Sequence, residues 1–510
     1  MTKIINKSFA EGYFPQQLKV ARVVPIHKGG TKTNVSNYRP ISLLNAFSKV
    51  YEKIMHNRLL SFIEHNGSLY ERQYGFRPGR SCEHALLSAQ NILLDSLSRR
   101  KVSLLLLIDY SKAFDMVDHR VLLNKLYHYG IRGTALTWMK SYLENRSQFV
   151  SIDCIDSSKK QMRHGVPQGS ILGPLLFIIY INDLPDIFPM ARFILYADDA
   201  NIILTANSIE EINEQLSQLS KILLKWVSCN GLALNLKKTH YMIFSRRKSE
   251  LPTPLIISNI PIERKTEARF LGVIIDENLT WSSHIKALRA KMCRYIGVMY
   301  KIKKYLPLQS KLQIYHSFVQ SHINFCSLVW GFAAKSNIDL LLSTQKKGIR
   351  AVVPGFINYR YRDGVLPGHT KPFFKEYKIL TVQGVIALNA LLFIHKVRHF
   401  PRSLPKSLLE TIPANAPMPN STYETCEPWL TAYNNIYFRA SLFFKGPTLA
   451  MIPDIVQLTS PASLLKIKIY KDNAKLFLLK LQSEGNEGEW QASNNALSNI
   501  PGLRRSNRAH

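Results

Sequence analysis

The spacing of apolar positions changes along this chain, and each change predicts a different kind of element. Residues 1–100 mix short apolar runs with turns such as Lys28-Gly29-Gly30, and Ile41 to Glu64 reads as a helix. From 101 to 275, apolar runs of strand length alternate with helical spacing. Ser103-Leu104-Leu105-Leu106-Leu107-Ile108 is a buried strand, and Phe193 to Thr205 holds two further apolar runs around Asp198-Asp199. Asp118 caps a helix predicted through Tyr129, with Gly130 as its left-handed stop, and Ser170 caps another to about Asn182, with Pro174 tolerated near the first turn. After 275 the pattern is helical. Ser282 or Ser283 opens a helix to about Lys304, stopped by Pro307; a second reads from Leu308 to Trp330 and a third from Asn337 to Arg350, as in a small antiparallel bundle. Pro354 to Pro372 marks a boundary, Val382 to Lys396 is helical, Pro401 to Pro428 is a Pro-rich linker, and the polar stretch from about Ser483 is a disordered tail.

The two apolar runs at 193–205 predict a tight hairpin with adjacent carboxylates at its bend, in the order Tyr196-Ala197-Asp198-Asp199. Like charges side by side repel, and no glycine eases the turn. A cation to be held explains such a pair, and hard oxygen ligands suit Mg²⁺. Asp109, at the end of the 103–108 run, supplies a third carboxylate; its bland alternative is a helix cap. Three carboxylates on neighbouring strand ends are what two-metal phosphoryl transfer requires.

Charge narrows the partner. With 67 Lys+Arg against 35 Asp+Glu, the formal net charge of +32 disfavours compaction unless a polyanion neutralises it, and nucleic acid is the natural candidate. The bases fall in short groups (Arg99-Arg100-Lys101, Lys237-Lys238, Arg246-Arg247-Lys248, Lys301 to Lys304, Lys346-Lys347), as a groove following a phosphate backbone would show. Six scattered cysteines without a C-x-x-C pair argue for a reducing compartment and against structural zinc. The N-terminus lacks an apolar signal core, and the longest apolar stretch, Leu172 to Ile181, is too short for a bilayer. The expectation is a soluble intracellular protein of cytoplasm or nucleus, neither secreted nor membrane-spanning.

Two further blocks carry candidate chemistry. Ile108-Asp109-Tyr110-Ser111-Lys112-Ala113-Phe114-Asp115 places Phe114 five residues beyond Asp109, where it faces the same cavity or is an ordinary core ring. Gly165-Val166-Pro167-Gln168-Gly169-Ser170 is a glycine-rich loop feeding a helix; Gln168 offers an amide to a base or sugar, and the helix start favours phosphate. In order, P-I-H-K (25–28), N-Y-R-P-I-S-L-L (37–44), Q-Y-G-F-R-P-G-R-S (73–81), D-Y-S-K-A-F-D (109–115), G-V-P-Q-G-S-I-L-G-P-L-L-F (165–177) and Y-A-D-D (196–199) resemble a reverse transcriptase of jockey-like non-LTR (LINE-type) retrotransposons. L-A-L-N-L-K-K-T (232–239) and F-L-G-V-I-I-D (270–276) continue the resemblance, which covers roughly residues 8–276 and more loosely extends toward 350.

The resemblance implies an α+β right-hand polymerase: fingers over 1–100, a palm with an antiparallel sheet over 101–275, a helical thumb over 276–352, a mostly helical C-terminal region over 353–482 and the tail 483–510. It implies RNA-directed DNA polymerisation with an RNA template, a DNA primer, dNTPs and two Mg²⁺ ions, replaceable by Mn²⁺. Asp109, Asp198 and Asp199 become the catalytic carboxylates, and the Tyr110 carbonyl a further metal ligand. Phe114 becomes the gate against a ribose 2′-OH, and Gln168 a contact to the incoming nucleotide. Lys28 and Arg39 clamp the triphosphate, and Lys238 or the adjacent Lys237 approaches the leaving pyrophosphate as general acid. Arg77 and Arg80 touch template phosphates or merely flank a Pro78-Gly79 turn. The chain begins almost at the fingers, without the endonuclease that such elements usually carry, so a truncated copy is expected. The rival readings are a catalytically silent, domesticated RNA-binding protein and an RNA-dependent RNA polymerase. Intact carboxylates disfavour the first, because a pure binder gains nothing from anionic groups facing RNA; the bulk of Phe114 and the presence of Ala197 disfavour the second.

Overall fold

The computed structural model describes residues 1–246, 254–353 and 370–409, with 471–472, 474–476, 478–479 and 482. The tail expected over 483–510, most of the boundary at 354–372, most of the linker at 401–428 and part of the basic group at 246–248 lie outside the described residues. The chain divides into two compact units, residues 1–85 with 100–265 and residues 86–99 with those after 266.

In chain order the first unit holds α1 (Thr2–Glu11), β1 (Val20–His27), β2 (Tyr38–Leu43) and α2 (Ala46–His65). After α3 (Cys82–Ser98), most of which belongs to the second unit, it continues with β3 (Val102–Ile108), α4 (His119–His128), α5 (Gly133–Leu143) and β4 (Ser147–Ile152). Short strands β5 (Ile155–Asp156) and β6 (Lys160–Gln161) precede α6 (Leu172–Tyr180), β7 (Arg192–Tyr196), β8 (Asp199–Ala206), α7 (Ile209–Cys229) and β9 (His240–Phe244). The unit ends with β10 (Ile256–Ile257), β11 (Ile260–Pro261) and β12 (Glu263–Arg264). One sheet joins β2, β1 and β4 with β5 and β6; the other has the order β12-β9-β3-β8-β7. In the second sheet β3 is central and antiparallel to both β8 and β9, which is why it is apolar except for Ser103: all seven of its residues are buried. Val102, Leu104, Leu106 and Ile108 enter the unit's core beside Ile202 and Leu204 of β8 and Ile212, Leu216, Leu219 and Leu223 of α7. The α+β class implied by the resemblance is the class observed.

Local chemistry explains most boundaries. The Asp118 side chain accepts from Arg120 N–H and Val121 N–H to start α4, and Gly130 takes φ 93° beyond its end. The helix expected from Ile41 begins later, at Ala46, because Asn45 caps it by accepting from Phe47 N–H, and residues 38–43 pair with β1 instead. Ser170 accepts from Gly173 N–H at 2.9 Å, as an N-cap does.

Among the described residues, the second unit is helical apart from the hairpin of β13 (Glu267–Phe270) and β14 (Val273–Asp276), turned by Leu271 and Gly272 at φ 46° and 89°. It contains α8 (Ser282–Ile302), α9 (Leu308–Tyr315), α10 (Ser321–Asn324), α11 (Ser327–Trp330), α12 (Lys335–Val352), α13 (Lys371–Glu376) and α14 (Val382–His399). The single helix expected over 308–330 is broken twice. A π-turn occupies His316–Gln320, and Phe325 turns extended before Cys326 adopts φ 50°. Neither glycine nor proline marks the break; the turn buries Leu328, Val329 and Trp330, whose indole N–H donates to the Phe325 carbonyl at 2.9 Å.

Candidate active site

The three carboxylates meet where the β3–β8–β7 ladder ends. Tyr196 pairs with Asp199, leaving Ala197 and Asp198 as a two-residue turn, and Ile108 pairs with Ala200. One step past Ile108, Asp109 therefore lies beside the Asp-Asp turn. Ala197 holds φ 56°, a left-handed conformation that disfavours a residue with a Cβ by roughly 1–2 kcal/mol. Residues 72–75 hold the turn in place from outside. Leu195 N–H donates to the Arg72 carbonyl at 3.0 Å, Tyr74 N–H to the Leu195 carbonyl at 2.8 Å, and the Gln73 amide oxygen accepts from Gly75 N–H and Ala197 N–H at 2.9 and 3.3 Å. A Cβ on Gly75 would lie 2.3 Å from the Ala197 nitrogen, so only glycine lets the two backbones meet.

Electrostatics sharpen the arrangement. Asp198 and Asp199 are solvent-reachable but recessed among other protein groups. Burial first, then the charges of Asp198 and Asp109, push the Asp199 carboxyl up to about 6. Asp198 is raised by burial and Asp109, against its own backbone N–H and the nearby Arg39 of β2. Asp109 is held from the turn after α7: Asn235 N–H donates to its carbonyl and Asn235 Nδ2 to its Oδ2, both at 2.8 Å. With Ser111 N–H donating to the Ala233 carbonyl, Tyr110 is a non-hydrogen-bonded partner of Leu234, so its own carbonyl turns toward the β8 side.

A second wall forms from the 113–117 turn and the 165–170 loop. Val166 N–H donates to the Phe114 carbonyl at 2.9 Å, Gly165 N–H to the Val117 carbonyl at 2.8 Å, and His119 Nε2 to the Gly165 carbonyl at 2.8 Å. Half-buried Phe114 stacks on Phe177 of α6 with centroids 4.6 Å apart. The Gln168 carbonyl accepts from Ser42 N–H of β2 at 2.7 Å, and its amide donates to Asp115 Oδ1 at 3.0 Å. Burial raises the Asp115 carboxyl, opposed by Gln168, Lys112 and Lys28. Lys28 and Arg39 are exposed at neighbouring ends of the β1–β2 pair, and Lys237 and Lys238 are exposed on the turn that holds Asp109.

Three expectations change. The start of α6 is not open to phosphate: Glu52 of α2, with 0% exposure, accepts from Ile171 N–H at 2.6 Å and from Leu172 N–H at 3.5 Å. Arg77 is committed to Glu64 through two bonds of 2.6 and 2.7 Å and to the Tyr70 carbonyl, with its side chain 5% exposed. Arg80 binds Glu71 through its carboxylate at 3.1 Å and through its carbonyl. Both guanidiniums tie the 64–80 segment together and lack the exposure that a template phosphate needs. Glu52, Gln73, Asn235 and Asp115 have no role assigned from the sequence because their partners lie 53 to 126 residues away; a polar residue inside an apolar run, as at Asn235, is the available signal.

Residues 26–275 match the family model described as reverse transcriptase (RNA-dependent DNA polymerase). The chain is similar to the probable RNA-directed DNA polymerase from transposon X-element of Drosophila melanogaster, 29% identical over 361 residues, covering 69% of this chain and 39% of that protein. It is also similar to the RNA-directed DNA polymerase from mobile element jockey of the same organism, 30% identical over 361 residues, covering 68% and 39%. The resemblance read from the ordered motifs is borne out, and the chain spans about two fifths of the length of these relatives. Among solved structures, telomerase from Candida albicans with a fragment of telomeric RNA aligns with 70% of this chain and 68% of that one, at 14% identity and TM-score 0.41.

Proposed function

We propose that the chain is an RNA-directed DNA polymerase that extends a DNA primer with dNTPs on an RNA template. The observation that carries this reading is the register of β3 against β8, which sets Asp109 beside the Asp198-Asp199 turn at one end of a central antiparallel sheet. Burial, reinforced by the charges of Asp198 and Asp109, drives Asp199 up to about 6 and marks a place short of positive charge. Among the described residues no group of three or more His, Cys, Asp or Glu forms a ready metal cage. Mg²⁺ does not need one, because it keeps several waters and takes one or two carboxylates together with substrate phosphates.

In this reading Asp109, Asp198, Asp199 and the Tyr110 carbonyl would hold two Mg²⁺ ions, which when bound would lower the pKa of the primer 3′-OH and neutralise charge on the triphosphate. Arg39 and Lys28 take the triphosphate, and their charges count most as negative charge grows in the transition state. Lys238, or Lys237 on the same turn, reaches the leaving pyrophosphate and supplies its proton. Phe114, braced on Phe177, stands under the sugar and leaves no room for a 2′-OH. Gln168 meets the nucleotide from the same wall, through the loop bonded to the Phe114 turn. The test is primer extension by the full chain on an RNA template with Mg²⁺ and either dNTPs or rNTPs. Extension with dNTPs alone is expected; RNA binding without extension would establish the silent binding protein instead.

A further inference from the structure

Asp115 carries no role in the reading above, yet it binds the one side chain assigned to meet the nucleotide from the loop. We propose that Asp115 is a positioning residue for Gln168: it fixes which end of the carboxamide faces the incoming nucleotide. The proposal rests on the polymerase reading.

A glutamine amide is ambiguous by shape, since its oxygen and NH₂ ends are nearly the same size. A carboxylate removes the ambiguity because it only accepts. With Gln168 Nε2 donating to Asp115 Oδ1 at 3.0 Å, the NH₂ end is drawn to Asp115 and Oε1 turns away from it, an acceptor for a hydroxyl or base N–H of the nucleotide.

Both partners are fixed from behind. The Gln168 backbone is held by Ser42 N–H at 2.7 Å. Asp115 N–H donates to the Lys112 carbonyl at 2.9 Å, and the flanking Phe114 and Val117 carbonyls take Val166 N–H and Gly165 N–H. Gly165, at φ 85°, has no Cβ; one there would lie 2.8 Å from the Asp115 carbonyl oxygen and 2.9 Å from its Cα. The loop is therefore zipped to the turn along its backbone, and the amide is the remaining freedom. Burial raises the Asp115 carboxyl, and the Gln168 amide, Lys112 and Lys28 work against that rise. Phe114 precedes Asp115 directly, so one turn sets both the ring beneath the sugar and the polarity of the amide beside it.

The test is a double-mutant cycle on primer extension by the full chain, comparing wild type, D115A, D115N, Q168A and D115A/Q168A. D115A is expected to raise KM for dNTP about tenfold with a smaller change in kcat, as Q168A does, and D115N, which keeps an acceptor oxygen, to recover part of the loss. In the Q168A background, D115A should then change KM by less than about twofold, because the group it orients is gone. Losses that multiply across the pair, or a D115A enzyme with unchanged KM, would overturn the proposal while wild-type extension upheld the polymerase reading. No extension by wild type would overturn that reading and the proposal with it.

Discussion

Replacing Gly75 by alanine probes the support of the Asp-Asp turn without touching a carboxylate. Gly75 is not in the left-handed region, so alanine can adopt its backbone conformation, and the whole effect comes from the added carbon. That carbon would meet the Ala197 nitrogen at 2.3 Å, the Tyr196 carbonyl carbon at 3.0 Å and the Ala197 Cα at 3.1 Å. All three are backbone atoms of the turn and cannot rotate aside as a side-chain tip would. Restoring ordinary contact beyond 3.4 Å requires the turn and residues 73–75 to separate by about 1 Å. Overpacking of this kind destabilises by about 1–3 kcal/mol. A displacement of ~1 Å at the reacting centre lowers rate by about 10²-fold. Single-turnover primer extension should show that fall while RNA affinity stays within about twofold, since the cationic groups are untouched. Gly297→Ala is the control: it lies within α8 with nothing within 4 Å of the added carbon, and it should leave rate unchanged and add about 0.5–1 kcal/mol of stability. A Gly75→Ala chain with wild-type rate and melting temperature would refute the claim that residues 73–75 brace the turn.

Phe114→Val should admit ribonucleotides, seen as a fall in the ratio of kcat/KM for dNTP over rNTP; an unchanged ratio removes Phe114 from the sugar gate. Glu52→Ala orphans the Ile171 N–H and the buried Ser48 hydroxyl, which donates to Glu52 at 2.8 Å, at about 1–3 kcal/mol for each unpaired group; Glu52→Gln should lose less, and equal melting temperatures for both variants would contradict the capping role. The raised Asp199 carboxyl makes the metal-free fold favour low pH, because a carboxyl whose folded pKa of about 6 exceeds its unfolded value binds its proton more tightly when folded. This contribution is greatest below the unfolded pKa and is lost as pH rises through 6. Denaturant titrations of metal-free wild type and Asp199→Asn should therefore diverge between about pH 4 and 6, with the variant the more stable at pH 7, and parallel curves would refute the shift. By the same linkage, the Mg²⁺ concentration for half-maximal rate should climb as pH drops below 6.

How much of this was legible beforehand follows the range of the interactions. The β3 run and the hairpin at 196–199 were readable because burial on both faces and a two-residue turn leave their pattern in consecutive residues. The α4 start was equally plain, since Asp118 caps within three positions of itself. What escaped the sequence were the groups that hold the reactive ones. Asn235 reaches Asp109 across 126 residues, and Glu52 reaches the start of α6 across 119. Such pairings exist only once the elements are packed, so no local period announces them. For Arg77 and Arg80 the sequence leaves two readings open, for the opposite reason. A basic residue in a family motif looks like a phosphate ligand until Glu64 and Glu71 are brought against it. The break between α9 and α11 was hidden too, because it arises from burying Trp330 rather than from a proline or glycine.

The convergence of Asp109 with the Asp-Asp turn is the center of the account, and Asp109→Asn tests it most directly. The side chain keeps its size, and Oδ1 of the new amide can still accept from Asn235. The measurement is single-turnover dNTP incorporation on an RNA template with Mg²⁺, alongside RNA affinity and melting temperature. The account predicts a rate lower by at least about 10³-fold, an order seen when one preorganised charge-stabilising group is removed, with RNA affinity unchanged or tighter and the fold intact. Incorporation within tenfold of wild type by a folded Asp109→Asn chain would contradict it.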